Sequence, residues 1–139
     1  MKIKEIMTTD VRTVSANDSI TEAANIMKQL DVGAVPVIDN DILVGIVTDR
    51  DLVLRAVAEG KNAQERVSNV MTKNLTTVTP DMDVHKVADI MASKQIRRLP
   101  IVENNQLVGI VSIGDMAVED IFENEAGEAL HTISMGVRH

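Results

Sequence analysis

The sequence predicts an α/β (α+β) fold built from two β-α-β-β-α units that are related by a pseudo-twofold axis, with their sheets packed together. Three observations predict it. Shifted by 64 residues, the 139-residue chain aligns with itself without a gap, and about 15 of 50 aligned positions are identical. Each copy alternates strand-like and helix-like apolar patterns. One copy of about 55 to 60 residues buries too little surface to be stable alone, so the two copies must share a core.

Each copy follows the same order of elements. An extended segment opens it (residues 11–14 and 75–78), and a polar cluster then marks the start of a helix, where Ser19 and Glu22 have capping-box spacing. Apolar residues recur at helical spacing along this helix: Ile20, Ala23, Ala24, Met27 and Leu30 in the first copy, and Val84, Val87, Ala88 and Met91 in the second. Two β-rich runs around a polar turn predict a hairpin, and a second helix begins directly after it.

The repeat divides the chain into four stretches. The first copy occupies residues 1–60, a polar linker occupies 61–69, and the second copy occupies 70–122. Residues 123–139 lie outside the repeat, and their pattern allows one short helix. This division predicts a two-repeat module without an attached effector domain.

Composition argues against several classes of function. The net charge of −7 opposes nucleic-acid binding, which relies on a basic surface, and Phe122 is the single aromatic residue on which a base could stack. The first residues lack the apolar core of a signal peptide, and no apolar run approaches the roughly 18 residues of a membrane span. Since the chain also lacks cysteine, we expect a cytoplasmic protein that binds neither nucleic acid nor membrane.

The sequence also lacks the signatures of an enzyme. Its three histidines, His85, His131 and His139, are not spaced as metal ligands. The chain contains no cysteine nucleophile, no nucleophile elbow and no P-loop. We therefore expect no catalytic residues, no catalytic cofactor and no metal site in the protein itself.

One motif recurs at the end of both hairpins. "GIVTDRD" places Thr48 three residues before Asp51, and "GIVSIGD" places Ser112 three residues before Asp115. A hydroxyl at the helix N-cap and an acid three residues later can satisfy each other's main-chain groups, which is a purely structural interpretation. An aspartate one turn into a helix can also accept hydrogen bonds from both hydroxyls of a ribose. The residues alone leave both interpretations open.

A glycine stands three residues before the hydroxyl of each motif, at Gly45 and Gly109. Glycine inside a β-rich run indicates a bulge or a close approach of another main chain. We expect both glycines to serve the packing of the hairpin rather than a ligand.

The two copies differ where the hairpin begins. The second copy has Arg97 and Arg98 where the first has Gly33 and Ala34. Adjacent residues of a strand point to opposite faces, so one arginine can face the motif while the other remains a solvated charge at a strand edge. Because a planar guanidinium suits phosphate, we expect phosphate binding by at least one of them, and Arg98 is the better candidate.

The repeat, its spacing and the hairpin that ends in "GIVT" or "GIVS" together resemble a cystathionine-β-synthase (CBS) domain pair, also called a Bateman module. The resemblance covers residues 6–121. Such pairs are regulatory modules that bind AMP, ADP, ATP or S-adenosylmethionine in clefts between the repeats, and they commonly form dimers of pairs. The resemblance therefore implies a stand-alone sensor that forms a homodimer through its helices and signals to a separate effector protein. Mg²⁺ would accompany ATP if ATP is the ligand.

The resemblance also implies roles for single residues. Asp51 and Asp115 would bind ribose. Phosphate would be bound by hydroxyl and guanidinium side chains: Thr48, Ser112, Arg98 and Arg97. Adenine would lie against mainly main-chain groups of the two opening segments: Thr9, Asp10 and Val11 in one, and Lys73, Asn74 and Leu75 in the other.

By the same resemblance, the opening segment of one copy lies beside the aspartate of the other copy. Residues 9–11 would line the site of Arg98 and Asp115, and residues 73–75 would line the site of Asp51. Because the arginine pair belongs to one site alone, we expect the Asp115 site to prefer the more phosphorylated ligand.

A second interpretation also remains open. A dimeric scaffold with vestigial ligand sites would act through protein–protein interaction, and the departure of "GIVSIGD" from "GIVTDRD" favours it. The retention of both aspartates and both hydroxyls favours ligand binding instead.

Overall fold

The computed structural model describes residues 1–118, and its elements follow the order of the two copies. The first copy contains β1 (Val14–Ser15), α1 (Ile20–Leu30), β2 (Ala34–Asp39), β3 (Ile42–Thr48) and α2 (Asp49–Asp51). The second contains α3 (Val84–Lys94), β4 (Arg98–Glu103), β5 (Gln106–Ser112) and α4 (Ile113–Ala117). The mixed α+β class with β-α-β-β-α repeats is confirmed. The short helix expected in residues 123–139 lies outside the described residues.

The described chain divides into two compact units, each named after its hairpin. The first-hairpin unit comprises residues 12–75. The second-hairpin unit comprises residues 1–11 together with residues 76–118. The units therefore differ from the two sequence copies, because each opening segment packs in the unit of the other copy.

Main-chain pairing holds each opening segment, which in the structure includes the two residues before it (residues 7–11 and 71–75), against a hairpin. In the first-hairpin unit, Thr72 and Ile46 exchange two N–H···O hydrogen bonds of 2.7 and 3.0 Å. In the second-hairpin unit, Thr8 and Ile110 exchange two of 2.9 Å. Each opening segment thus adds one antiparallel bridge to the outer strand of its hairpin.

In the first-hairpin unit, β1 runs parallel to β2, and β2 pairs antiparallel with β3. Ala34 lies opposite Thr48 at the open end of the hairpin, and Asn40 and Asp41 form the tight turn with positive φ values of 49° and 65°. The register shifts beside Gly45, which marks a β-bulge. Aliphatic side chains fill the core of this unit, among them Val14, Ala23, Val35, Val37, Val47, Ala56, Val67 and Val70.

In the second-hairpin unit, β4 pairs antiparallel with β5, and Arg98 lies opposite Ser112. The extended segment predicted at residues 75–78 is paired by a single parallel bridge, between Val78 and Ile101. The core of this unit is again aliphatic: Ile3, Val78, Val84, Val87, Ala88, Met91, Leu99, Ile101, Val111 and Met116. All four positions predicted for the buried face of α3 belong to it.

Ser19 is the N-cap of helix α1, and its side-chain oxygen accepts the main-chain N–H of Glu22 at 3.2 Å. This is one of the two bonds of the predicted capping box, and the return bond from the Ser19 N–H to the Glu22 side chain is not formed. The buried face is formed by Ile20, Ala23, Ile26 and Met27. Two predicted positions are wrong, because Ala24 and Leu30 are exposed. Ala24 lies at the edge of the apolar stripe, Leu30 is the last helical residue, and Ile26 is buried instead.

The helix after the first hairpin changes its hydrogen bonding after one turn. Helix α2 continues into a π-helical stretch, Leu52–Val57, in which the N–H of Ala58 donates to the carbonyl of Val53 at 2.9 Å. Gly60 follows with a φ of 68°, which fits the predicted helix end before it. Within residues 1–118, no helix is long and apolar enough to cross a bilayer.

Exposed ion pairs connect the first residues of the chain to the approach to α3. The Nζ atoms of Lys4 and Lys2 lie 3.2 and 3.4 Å from Oδ1 of Asp81. The hydrogen bond from Lys4 and the charge of Lys2 lower the pKa of the Asp81 carboxyl. Because these groups are exposed, salt screens their attraction and the pairs stabilise the segment weakly.

Gly45 and Gly109 lie where an opening segment comes closest to a hairpin. A Cβ built on Gly45 would lie 2.6 Å from Sδ of Met71 and 2.9 Å from the carbonyl oxygen of Thr72. A Cβ on Gly109 would lie 2.6 Å from Sδ of Met7 and 3.0 Å from the carbonyl oxygen of Thr8. The methionine side chains can move, but the carbonyls are fixed by main-chain pairing. Close main-chain approach therefore requires both glycines.

We expect Gly45→Ala and Gly109→Ala each to lower the free energy of unfolding by about 1–3 kcal/mol, the usual cost of overpacking. Urea unfolding measures this loss. Gly114→Ala is the matched control, because a Cβ there would lie at an ordinary contact distance, 3.6 Å from Oγ of Ser112. A loss at the two hairpin glycines no larger than the control's would contradict a fixed close approach.

Candidate ligand-binding site

Each hairpin ends in a reciprocal pair of hydrogen bonds between a hydroxyl residue and an aspartate. The main-chain N–H of Asp51 donates to Oγ1 of Thr48 at 3.0 Å, and the N–H of Thr48 donates to Oδ2 of Asp51 at 3.0 Å. Ser112 and Asp115 form the same two bonds, both of 3.0 Å. The capping interpretation of the motif therefore holds in both copies, and each cap uses one carboxylate oxygen.

Asp51 has further partners and is the single buried charged residue among residues 1–118, with 6% of its surface exposed. The hydroxyl of Thr72 lies 3.1 Å from its Oδ2 and 3.2 Å from its Oδ1. Nε of Arg55 lies 3.6 Å from Oδ1 in an ion pair. Nη1 of the same guanidinium donates to the carbonyl oxygen of Met71 at 3.3 Å. Both oxygens of this carboxylate are therefore engaged inside the unit.

Sequence reasoning missed Thr72 and Arg55. The signal available for Thr72 is that both opening segments, as they pack in the structure, begin with "MT", at residues 7–8 and 71–72. Arg55 is four residues after Asp51, the spacing at which helical side chains meet, and no other feature of the sequence marks it.

Within residues 1–118, Asp115 has the cap as the one hydrogen-bonded contact of its side chain. It is half-buried, and within residues 1–118 its Oδ1 accepts no hydrogen bond and pairs with no cation. Thr8 is the repeat counterpart of Thr72 and pairs with β5 through its main chain, yet its hydroxyl makes no hydrogen bond to Asp115. The counterpart of Arg55 is Glu119, which lies outside the described residues. The two turns share one cap geometry. Within the described residues, they differ in the partners of the carboxylate oxygen that the cap does not use.

Arg97 and Arg98 lie at the start of the second hairpin, beside the Ser112 turn. Both are exposed, Arg98 lies directly opposite Ser112, and the carbonyl oxygen of Arg97 accepts the N–H of Ile113 at 2.8 Å. Neither guanidinium forms an ion pair with a residue of the described chain. The rim of this turn, meaning residues 97 and 98 at the start of the hairpin, therefore carries two positive charges that no acid of residues 1–118 compensates.

The corresponding rim of the first hairpin is different. Ala34 lies opposite Thr48, and the carbonyl oxygen of Gly33 accepts the N–H of Asp49 at 2.9 Å. A Cβ built on Gly33 would lie 3.1 Å from Oδ2 of Asp49, so a carboxylate stands where the other copy begins its arginine side chain. Arg50, also exposed, follows this acid in the chain. The first rim thus lacks the paired arginines and has an acid beside their position.

The opening segments lie in the same unit as the aspartate with which each was grouped. Thr9, Asp10 and Val11 follow the bridge at Thr8, in the second-hairpin unit. Lys73, Asn74 and Leu75 follow the bridge at Thr72, in the first-hairpin unit. Val11 and Leu75 are half-buried, and the other four residues are exposed.

Residues 1–118 contain no cluster of three or more histidine, aspartate or glutamate side chains that could hold a metal ion. His85 donates its main-chain N–H to Oδ2 of Asp83 at 3.0 Å at the start of α3. His131 and His139 lie outside the described residues.

Comparison with known proteins finds a match for each of the two copies. The family model for the CBS domain matches residues 3–57 and again residues 67–120, so each match contains one hydroxyl–aspartate turn. The CBS domain-containing protein YhcV of Bacillus subtilis is 49% identical over 132 residues, which cover 95% of this chain and 94% of that protein.

Solved structures agree with the sequence match. A candidate signal-transduction protein with CBS domains from Burkholderia ambifaria has a TM-score of 0.75 at 27% identity, covering 89% of this chain and 96% of that one. A hexameric CBS-CP12 protein from bloom-forming cyanobacteria has a TM-score of 0.74 at 31% identity, covering 88% and 70%. The repeated fold, the two turns and these likenesses lead to one conclusion: the chain belongs to the CBS domain family and carries two CBS domains in tandem.

Proposed function

We propose that this chain is a regulatory module that binds an adenosine ligand and reports its presence to a separate effector protein. The candidate ligands are AMP, ADP, ATP and S-adenosylmethionine, with Mg²⁺ accompanying ATP. One observation carries the proposal: Oδ2 of Asp115 holds the cap, while Oδ1 has no partner within residues 1–118. A ribose supplies two hydroxyl donors, and a carboxylate oxygen with unused lone pairs is the acceptor that they require.

The residues around Asp115 would bind the rest of a nucleotide. Arg98 lies across the hairpin from Ser112, and its guanidinium is uncompensated within the described chain, so a phosphate there gains a charge-assisted hydrogen bond of about 1.5–3 kcal/mol. Arg97 is the second candidate for this contact. In the first-hairpin unit, Asp51 and Thr48 would take the ribose and phosphate roles without an arginine pair.

Adenine would lie against the opening segments, in contact with main-chain groups and aliphatic side chains. Phe122, the single aromatic residue of the chain, belongs to neither segment, so stacking on an aromatic ring does not contribute there. We therefore expect an affinity in the micromolar range or weaker, which corresponds to about 8 kcal/mol or less. Such an affinity suits a sensor of metabolite concentration, and the proposed role is non-catalytic.

Titration calorimetry of nucleotide-stripped protein with AMP, ADP, ATP and S-adenosylmethionine, with and without Mg²⁺, tests this function. We expect binding by at least one ligand, and we expect Asp115→Ala to weaken it about tenfold or more because charged hydrogen bonds to ribose are lost. Arg98→Ala should weaken phosphorylated ligands more than adenosine. Asp89→Ala is the matched control, since Asp89 is an exposed aspartate on α3, away from the motif.

Two results would contradict this assignment. Absence of heat with every ligand at millimolar concentration, from folded protein, would make the aspartates helix caps alone. The second result is a nucleotide affinity that is unchanged in Asp115→Ala and Arg98→Ala but lost in Asp51→Ala. It would show that the nucleotide binds at the Asp51 turn instead of the Asp115 turn.

A homodimeric scaffold is the second candidate function, and an exposed apolar surface favours it. The π-helical stretch buries Ala56 in its unit, while Val53, Leu54 and Val57 are 56, 46 and 73% exposed. Apolar side chains grouped on one short helix lose contact with water when a second copy covers them. We infer that the chain forms homodimers through this helix, either to support ligand sensing or in place of it.

We expect Val57→Glu to shift the protein from dimer to monomer, because a charge would have to be buried in the interface. Sedimentation velocity over a range of protein concentrations measures the change. Ile42→Glu is the matched control, since Ile42 is 44% exposed at the hairpin turn and lies outside this helix. Identical sedimentation of Val57→Glu, the control and the unmodified chain would remove the helix from the interface.

A further inference from the structure

We propose that Thr72 and Arg55 form a latch on Asp51, so that the first-hairpin site opens to a ribose only after Thr72 releases the carboxylate. The inference rests on the proposed function and deepens it, because it makes the two sites of one chain unequal for a reason other than phosphate charge. Thr72 and Arg55 then set the affinity of the Asp51 site, whereas Asp115 has no such partner within residues 1–118.

The position of the Thr72 hydroxyl carries the argument. It lies 3.1 Å from Oδ2 and 3.2 Å from Oδ1 of Asp51, so it stands midway between the two oxygens. A ribose presents two neighbouring hydroxyl donors, and the Thr48 cap leaves Oδ1 of the carboxylate as their acceptor. The Thr72 hydroxyl therefore occupies the space that the sugar needs.

Arg55 also contacts Oδ1 of Asp51, the oxygen that the cap leaves. Its Nε lies 3.6 Å from Oδ1, and its Nη1 donates to the carbonyl oxygen of Met71 at 3.3 Å. The guanidinium thus joins the π-helical stretch to the residue that precedes Thr72. Together with the Thr48 cap, these contacts engage both carboxylate oxygens of Asp51, a residue with 6% of its surface exposed.

The main chain of the latch cannot withdraw easily. Thr72 is fixed to Ile46 by hydrogen bonds of 2.7 and 3.0 Å, and the bare Cα of Gly45 lets this segment pack close to the strand. Release therefore requires rotation of the Thr72 side chain rather than movement of its segment. A ribose must replace the lost hydrogen bond at a buried carboxylate, which weakens binding relative to an open site.

The second copy provides an internal comparison. Thr8 is fixed to Ile110 by two hydrogen bonds of 2.9 Å, and the Ser112 cap on Asp115 has the same 3.0 Å bonds as the Thr48 cap. The hydroxyl of Thr8 nevertheless makes no hydrogen bond to Asp115. The caps and the main-chain pairing are thus the same in the two units, and among the described residues the hydrogen bond from Thr72 distinguishes the Asp51 carboxylate from that of Asp115. The charge at the start of each hairpin is another difference.

Titration of the full chain with adenosine tests the latch, because adenosine has the ribose diol and no phosphate. In an Asp115→Ala background, where the Asp51 site alone reports, we expect Thr72→Val to raise the adenosine affinity about tenfold, since the competing hydroxyl is removed. Thr72→Ser retains the hydroxyl and should bind like the background. The affinity for 2′,3′-dideoxyadenosine should not rise in Thr72→Val, because this nucleoside lacks the diol. Arg55→Gln should raise the adenosine affinity by a smaller factor.

The matched control is Thr8→Val in an Asp51→Ala background, where adenosine affinity should not change. If the Asp115 site binds adenosine while Thr72→Val leaves the Asp51 site unchanged or weaker, the latch is wrong and the proposed function stands. If Thr72→Val creates binding where the unmodified chain shows none, the latch is supported. If no variant binds adenosine or any nucleotide, the proposed function and the latch both fall. Thermal unfolding of each variant establishes that it is folded before titration.

Discussion

The reciprocal hydrogen bonding between a hydroxyl residue and an aspartate is the interaction on which the rest of the structure depends. It joins the last residue of each hairpin to the first turn of the next helix through two bonds of 3.0 Å. The cap uses one carboxylate oxygen, so the same side chain can also serve a ligand through the other. Capping and ligand binding are therefore compatible roles. The neighbours of the second oxygen determine whether that oxygen is available to a ligand.

Those neighbours are placed by the opening segments. Each segment pairs with the outer strand of a hairpin beside a glycine, and the absence of a Cβ lets its main chain come close. This packing brings Thr72 to the Asp51 carboxylate, while its counterpart Thr8 leaves Asp115 without a second partner in the described chain. Two copies of one fold thus differ in side-chain hydrogen bonds and rim charge while sharing hairpin register and cap geometry.

Local features of the fold could be predicted from the sequence, and longer-range ones could not. Both hairpins, the Ser19 cap and the buried face of α3 follow from spacings of two to four residues, which secondary structure fixes directly. The repeat follows from the alignment of the chain with itself at a shift of 64 residues. The contact between Thr72 and Asp51 spans 21 residues, so it depends on how the opening segment packs. The exposure of Ala24 and Leu30 likewise depends on where the core ends rather than on helical periodicity. The resemblance grouped each segment with its aspartate, but the roles of the grouped residues remain predictions.

A crystal structure of the full chain, grown with whichever adenosine ligand binds most tightly in solution, tests the central claim most directly. The account predicts ribose oxygens at hydrogen-bonding distance, about 2.7 Å, from the Asp115 carboxylate, with the Ser112 hydroxyl still accepting the N–H of Asp115. It also predicts that Asp51 keeps its bond to Thr72 wherever its own site is empty. A fully occupied ligand that touches neither aspartate would contradict the claim that these turns bind ribose.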